Sequence, residues 1–135
     1  MTSRNILLAA SLLTLAGCNA GPYPASVPTA DEQRRLADFI GGRTAGPPTR
    51  CISAATGMQI RAIGDKIVAQ WGGRRWVNEV QGSCREADSM NNILRTESNP
   101  VGQYCENETF RVISTSGGLT MGSCMLGPWT PYEKP

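Results

Sequence analysis

The chain has 135 residues, 40% of them hydrophobic and 18% charged, with a net charge of +2, five cysteines and no histidine. This length suits one domain, and a charge so near neutrality lacks the basic stripe that a nucleic-acid partner needs. The missing histidine excludes Ser-His-Asp and Cys-His nucleophile systems and every histidine-containing metal site.

Residues 1–17 read as a signal peptide. Arg4 forms a short positive n-region, and Ile6 to Leu15 form an apolar run. Ten residues at about 1.5 Å each fall well short of a bilayer core of about 30 Å, so this is a signal h-region and no membrane span. Leu15-Ala16-Gly17-Cys18 follows and resembles a bacterial lipobox. The resemblance implies cleavage before Cys18, diacylglycerol on its thiol and an acyl chain such as palmitate on its new amine. Several acyl chains anchor a protein durably, since each buried CH₂ contributes about 0.8 kcal/mol. Asn19 stands where inner-membrane retention signals of such lipoproteins place aspartate. The expected location is therefore the outer membrane, with the domain facing the periplasm; a secreted or periplasmic protein is the alternative.

Residues 18–30 comprise the lipidated cysteine and a proline-rich tether of extended character. A short helix is expected next, within residues 31–42. Thr29 and Glu32 have capping-box spacing, Leu36, Phe39 and Ile40 share a face, and Gly41-Gly42 stop it. Arg43 to Arg50, with Gly46-Pro47-Pro48, reads as a connector at the start of the domain spanning residues 43–135.

From Cys51 onward the pattern becomes strand-like. Candidate strands are Met58–Ile63, Ile67–Trp71, Arg74–Val80, Ile93–Thr96, Thr109–Ser114 and Leu119–Met121, rich in β-branched residues and bounded by turn formers. Gly72-Gly73 suits a two-residue hairpin whose register sets Lys66 opposite Glu79 and Val68 opposite Val77. Ser116-Gly117-Gly118-Leu119 offers a second hairpin. The expected fold is mainly β, a small antiparallel barrel or sandwich of five to seven strands.

With Cys18 assigned to lipid, Cys51, Cys84, Cys105 and Cys124 remain, an even number in an exported domain, so two disulfides are expected. The nested pairing Cys84–Cys105 and Cys51–Cys124 is favoured, because the first pair brackets a polar excursion with little apolar mass of its own. Zinc prefers closely spaced cysteine pairs, and none occur, so neither a metal nor another cofactor is expected.

Catalytic options are few. No Ser-x-x-Lys or Gly-x-Ser-x-Gly occurs. Glu79, Glu86, Asp88, Glu97, Glu106 and Glu108 supply carboxylates for a glycosidase pair, but their spacing defines no cleft, and solvated charges paired with arginines are the plainer reading. Trp71, Arg74, Arg75 and Trp76 at the first hairpin are the candidate binding surface, cationic and aromatic, suited to a glycan or an envelope protein. Core packing and protection of a sheet edge compete with that reading.

Thr49-Arg50-Cys51-Ile52, Val77-Asn78, Cys84, Leu94-Arg95-Thr96, Tyr104-Cys105 and Cys124 through Pro131 resemble an uncharacterised group of short exported four-cysteine proteobacterial proteins. That resemblance implies the architecture and brings no activity with it. A further analogy is to periplasmic inhibitors of C-type lysozymes, small disulfide-bearing β-barrels. Ser116-Gly117 is present here without the tyrosine that their signature adds. The expected function is a lipid-anchored, non-enzymatic binding or structural module of the envelope. An inhibitor of a cell-wall hydrolase is the alternative, and a carboxylate-based cell-wall hydrolase a third.

Overall fold

The computed structural model describes residues 26–97 and 102–135. The signal peptide, Cys18 and most of the tether lie outside the described residues.

Helix α1, Ala30–Ile40, begins as its capping box requires. Thr29 accepts from the Glu32 N–H, and the Glu32 carboxylate accepts from the Thr29 N–H. Gly41 ends the helix in the left-handed conformation, its N–H bonded to the Ala37 carbonyl. A strongly amphipathic helix of this length needs docking to persist, and the sheet beneath supplies it.

Ten strands follow: β1 Thr44–Ala45, β2 Cys51–Ser53, β3 Gln59–Ile63, β4 Lys66–Trp71, β5 Arg74–Glu79, β6 Asn92–Thr96, β7 Gln103–Cys105, β8 Thr109–Ser114, β9 Thr120–Met125 and β10 Trp129–Glu133. All pairings are antiparallel, in the orders β1-β10-β5-β4-β3, β2-β7 and β6-β8-β9. The fold is mainly β, as its patterning predicts. The first hairpin has the expected register, with Lys66 opposite and ion-paired to Glu79, and Val68 opposite Val77.

Alternation along the five-stranded sheet divides its residues between two cores. One face presents Ile63, Val68 and Val77, which pack under Phe39 with Leu36, Ile40 and Tyr132 around them. The other presents Ala62, Ile67, Ala69 and Trp129 to Phe110, Val112, Cys124 and Leu126 from the β8–β9 side of the molecule, with Ile52 of β2. The molecule is thus layered, with α1 outside one sheet and the two smaller sheets against its other face.

Four short strands depart from the sequence pattern. The Arg43–Arg50 connector lies along β10: Thr44 and Ala45 pair with Glu133 and Tyr132, and Gly46 donates to the Pro131 carbonyl. Strand β10 carries a proline that argues against a strand. In the β5 register Val77 opposes Thr130 and Arg75 opposes Tyr132, so the Pro131 nitrogen points away from β5 and its missing N–H breaks no ladder bond there.

The bridges correct the nested pairing. Cys51 joins Cys105, and Cys84 joins Cys124, so the two links interleave along the chain. Cys51 and Cys105 face each other in the β2–β7 register, while Cys84 and Cys124 meet inside the main core. The excursion after Cys84 needs no bridge of its own. Asp88, the Asn92 side chain and the β6–β8 ladder hold its described residues down.

Candidate binding cleft

Strand alternation separates the four hairpin residues. Trp76 packs against the main core, and Trp71 and Arg74, opposite each other at the strand ends, are exposed. Arg75 falls on the other face of the sheet, under α1, where its guanidinium donates to the Phe39 carbonyl. No single surface joins both tryptophans with both arginines.

The carboxylates are similarly dispersed. Glu79 pairs with Lys66, Glu97 with Arg111, Glu106 with Arg50 and Asp88 with Arg35, while Glu108 accepts from the Cys105 N–H. Glu86 is exposed on the 3₁₀ turn Arg85–Ala87. Burial pushes the Asp88 carboxyl up, but hydrogen bonds from Arg35 and the Gly64 N–H, with the charges of Arg35 and Arg85, outweigh it and hold it below the usual range. Such a group stays ionised and is a poor general acid.

Asp88 is instead a dock for α1. Arg35 reaches it at 2.8 Å, and the Gly64 N–H at 2.7 Å. Glu32, pinned by Arg85, lies so close to Gly64 that a Cβ there would sit 2.8 Å from its carboxyl carbon. Because folding lowers the Asp88 pKa, its stabilisation is complete above the unfolded value of about 3.9 and is lost as pH falls through the folded value. Helix α1 should therefore exchange its amides faster in acid before the sheets do. Asp88→Asn should remove that pH dependence in hydrogen exchange between pH 2 and 5.

A cleft of about 800 Å³ lies where β3 and β6 approach one another. Arg35, Asp38 and Phe39 of α1 line it together with residues of both strands, and Asp88, Ser89 and Met90 from the turn between β5 and β6. Its volume is within the usual range for ligand sites. Its cations are unusual. Arg61 and Arg75 flank the Phe39 ring at 5.8 and 5.4 Å from its centroid. Arg43 stands beside Arg75: a Cβ on Gly41 would lie 2.9 Å from one guanidinium and 3.2 Å from the other.

Arg43 and Arg75 each donate to a carbonyl in the last turn of α1, those of Ile40 and Phe39, where the helix dipole favours cations. Burial, then the charges of Arg43 and Arg61, lower the Arg75 pKa. Among the described residues none of these three arginines has an ion-pair partner, the Arg61 guanidinium has no hydrogen bond, and the Arg43 Nε is buried without one. Chemically, this is a cationic, partly aromatic cleft fitted to an anionic group.

The hairpin reading groups Arg75 with Trp71, Arg74 and Trp76, and strand alternation sets it on the opposite face, under α1. Arg61 and Arg43 went unmarked. Locally Arg61 is only the polar position between Ile60 and Ala62 in an alternating strand, and nothing there relates it to Phe39. Compared with known proteins, the chain matches no family model, no curated protein and no solved structure.

Proposed function

We propose that the chain is a lipid-anchored protein of the bacterial envelope whose β domain is a non-enzymatic binding module, and that the arginine cleft is its site. The observation that carries the binding reading is Arg61 and Arg75 over Phe39, with Arg43 beside Arg75 and no carboxylate paired to any of the three among the described residues. Uncompensated like charges cost stability in the free protein, and an anionic partner relieves that cost. The lipobox at Cys18 supports anchoring, and two disulfides support an oxidising compartment such as the periplasm. The residue after Cys18 favours sorting to the outer membrane.

Two measurements test this reading. Cys18→Ser should move the protein from the membrane fraction to the soluble periplasm; continued sedimentation with membranes refutes the anchor. Full-length protein in detergent should retain a stoichiometric partner from envelope extract, and an Arg61→Gln variant should retain less. Turnover of purified peptidoglycan overturns the non-enzymatic reading.

A further inference from the structure

The cleft has a second property besides charge: two strand edges border it. Among the described residues, strand β3 is the last strand of the five-stranded sheet and pairs only with β4. In the β3–β4 hairpin Ile63 opposes Lys66 across Gly64-Asp65, which makes Ile63, Arg61 and Gln59 the residues bonded to β4. The backbone N–H and C=O of Ile60 and Ala62 therefore point away from β4. On the other side, β6 is the last strand of its sheet, pairing only with β8 among the described residues. The Thr115 N–H donates to the Asn91 carbonyl, so alternation bonds Ile93 and Arg95 to β8 and turns the peptide groups of Leu94 outward. Ile60, Ala62 and Leu94 all line the cleft.

Open edges invite strand addition, and proteins ordinarily blunt them. Here β3 carries Arg61 and β6 carries Arg95, both exposed, and the apolar side chains of Met90 and Ile93 stand exposed at the rim. Cations repel a basic edge and attract an acidic one.

We propose that the cleft receives an extended acidic peptide segment, which adds as a strand to the outward edge of β3 and sets a carboxylate against Arg61 and Arg75. Main-chain bonds to Ile60 and Ala62 hold the segment, and alternate side chains determine which segments fit. Facing side chains lie two residues apart on an added strand, so an acidic residue at every second position matches the arginine side while the intervening apolar ones meet Ile60 and Met90. The inference rests on the binding-module reading and names the class of ligand for that same site.

The test uses full-length protein in detergent micelles and the capped peptide acetyl-Val-Glu-Val-Glu-Val-amide. Binding should shift the amide resonances of Ile60, Arg61 and Ala62 and slow hydrogen exchange at Ile60 and Ala62. Arg61→Gln, at an exposed position, should keep the melting temperature and weaken binding about tenfold, the equivalent of one charge-assisted hydrogen bond. A valine–lysine counterpart should not bind. A peptide N-methylated at alternate residues should lose the exchange protection; equal binding by that peptide overturns strand addition. Shifts produced equally by inorganic phosphate show a simple anion site and overturn the peptide assignment. Failure of the peptide while envelope extract still yields an Arg61-dependent partner refutes this inference alone, whereas failure of both refutes the binding reading as well.

Discussion

Replacing Cys84 and Cys124 together by alanine should cost about 4–5 kcal/mol of folding stability. The bridge spans 40 residues, for which loop-closure entropy alone gives about 4 kcal/mol, a large part of the roughly 5–15 kcal/mol available to a small domain. Both sulfurs lie in the main core beside Phe110 and Leu126, so truncation also leaves packing defects. The other bridge behaves differently. Cys51 is exposed at the end of β2, and the two residues face each other in a pair of three-residue strands. Mild reductant under native conditions should open Cys51–Cys105 first, and Cys84–Cys124 only when the domain unfolds globally. Mass-spectrometric thiol counting during reduction checks the order, and urea titration of the two double variants checks the energies. Equal reduction rates would show that the core gives Cys84–Cys124 no protection.

Asn78→Ala should be the most damaging single truncation of a polar side chain, at about 3–5 kcal/mol, because it leaves a buried donor and a buried acceptor unpaired. The fully buried Asn78 amide donates to the Gly127 carbonyl at 2.8 Å and accepts from the Gly127 N–H at 2.9 Å. It thereby closes the turn between β9 and β10 onto β5. Gly127 is fixed from the other side: a Cβ there would sit 1.9 Å from the Glu79 carbonyl oxygen. Backbone, not a flexible side chain, occupies that space, so Gly127→Ala should be comparably severe. Asn78→Leu, with the same side-chain branching, should not restore stability, since the lost term is hydrogen bonding. Thermal unfolding of the three variants decides: a near-native Asn78→Leu would mean that packing, not the amide, matters there.

The cleft shows how the same fold can be legible in outline and hidden in its site. Alternation in Ile67 to Trp71 and Arg74 to Glu79, with Gly72-Gly73 between them, is a local signal, and the hairpin follows from it. Strand β2 has three residues and β10 holds Pro131, so neither carries enough local pattern to stand alone; both persist because distant segments pair with them. The disulfide partners depend on the same long-range pairing. Cys105 meets Cys51 only because β7 lies against β2, and Cys84 reaches Cys124 only because the main core brings both inside.

Sequence by itself determined the periods, the caps and the turns. Thr29 and Glu32 set the start of α1, Gly41 its end, and the hairpin glycines the register of β4 on β5, because each acts over a few residues. It also carried the cysteine parity that predicts two bridges and the segment at Cys18 that predicts an anchor. Tertiary structure alone decided which cysteines pair, where the Arg43–Arg50 segment runs, and which arginines share Phe39. Contacts in the domain span 13 positions for Lys66 with Glu79 and 54 for Cys51 with Cys105, with Phe39 and Arg61 between those limits and Thr44 with Glu133 beyond them. The nearest of these follows from a tight turn and could be read in advance. The others rest on burial and strand pairing summed over the whole domain, which no local pattern records.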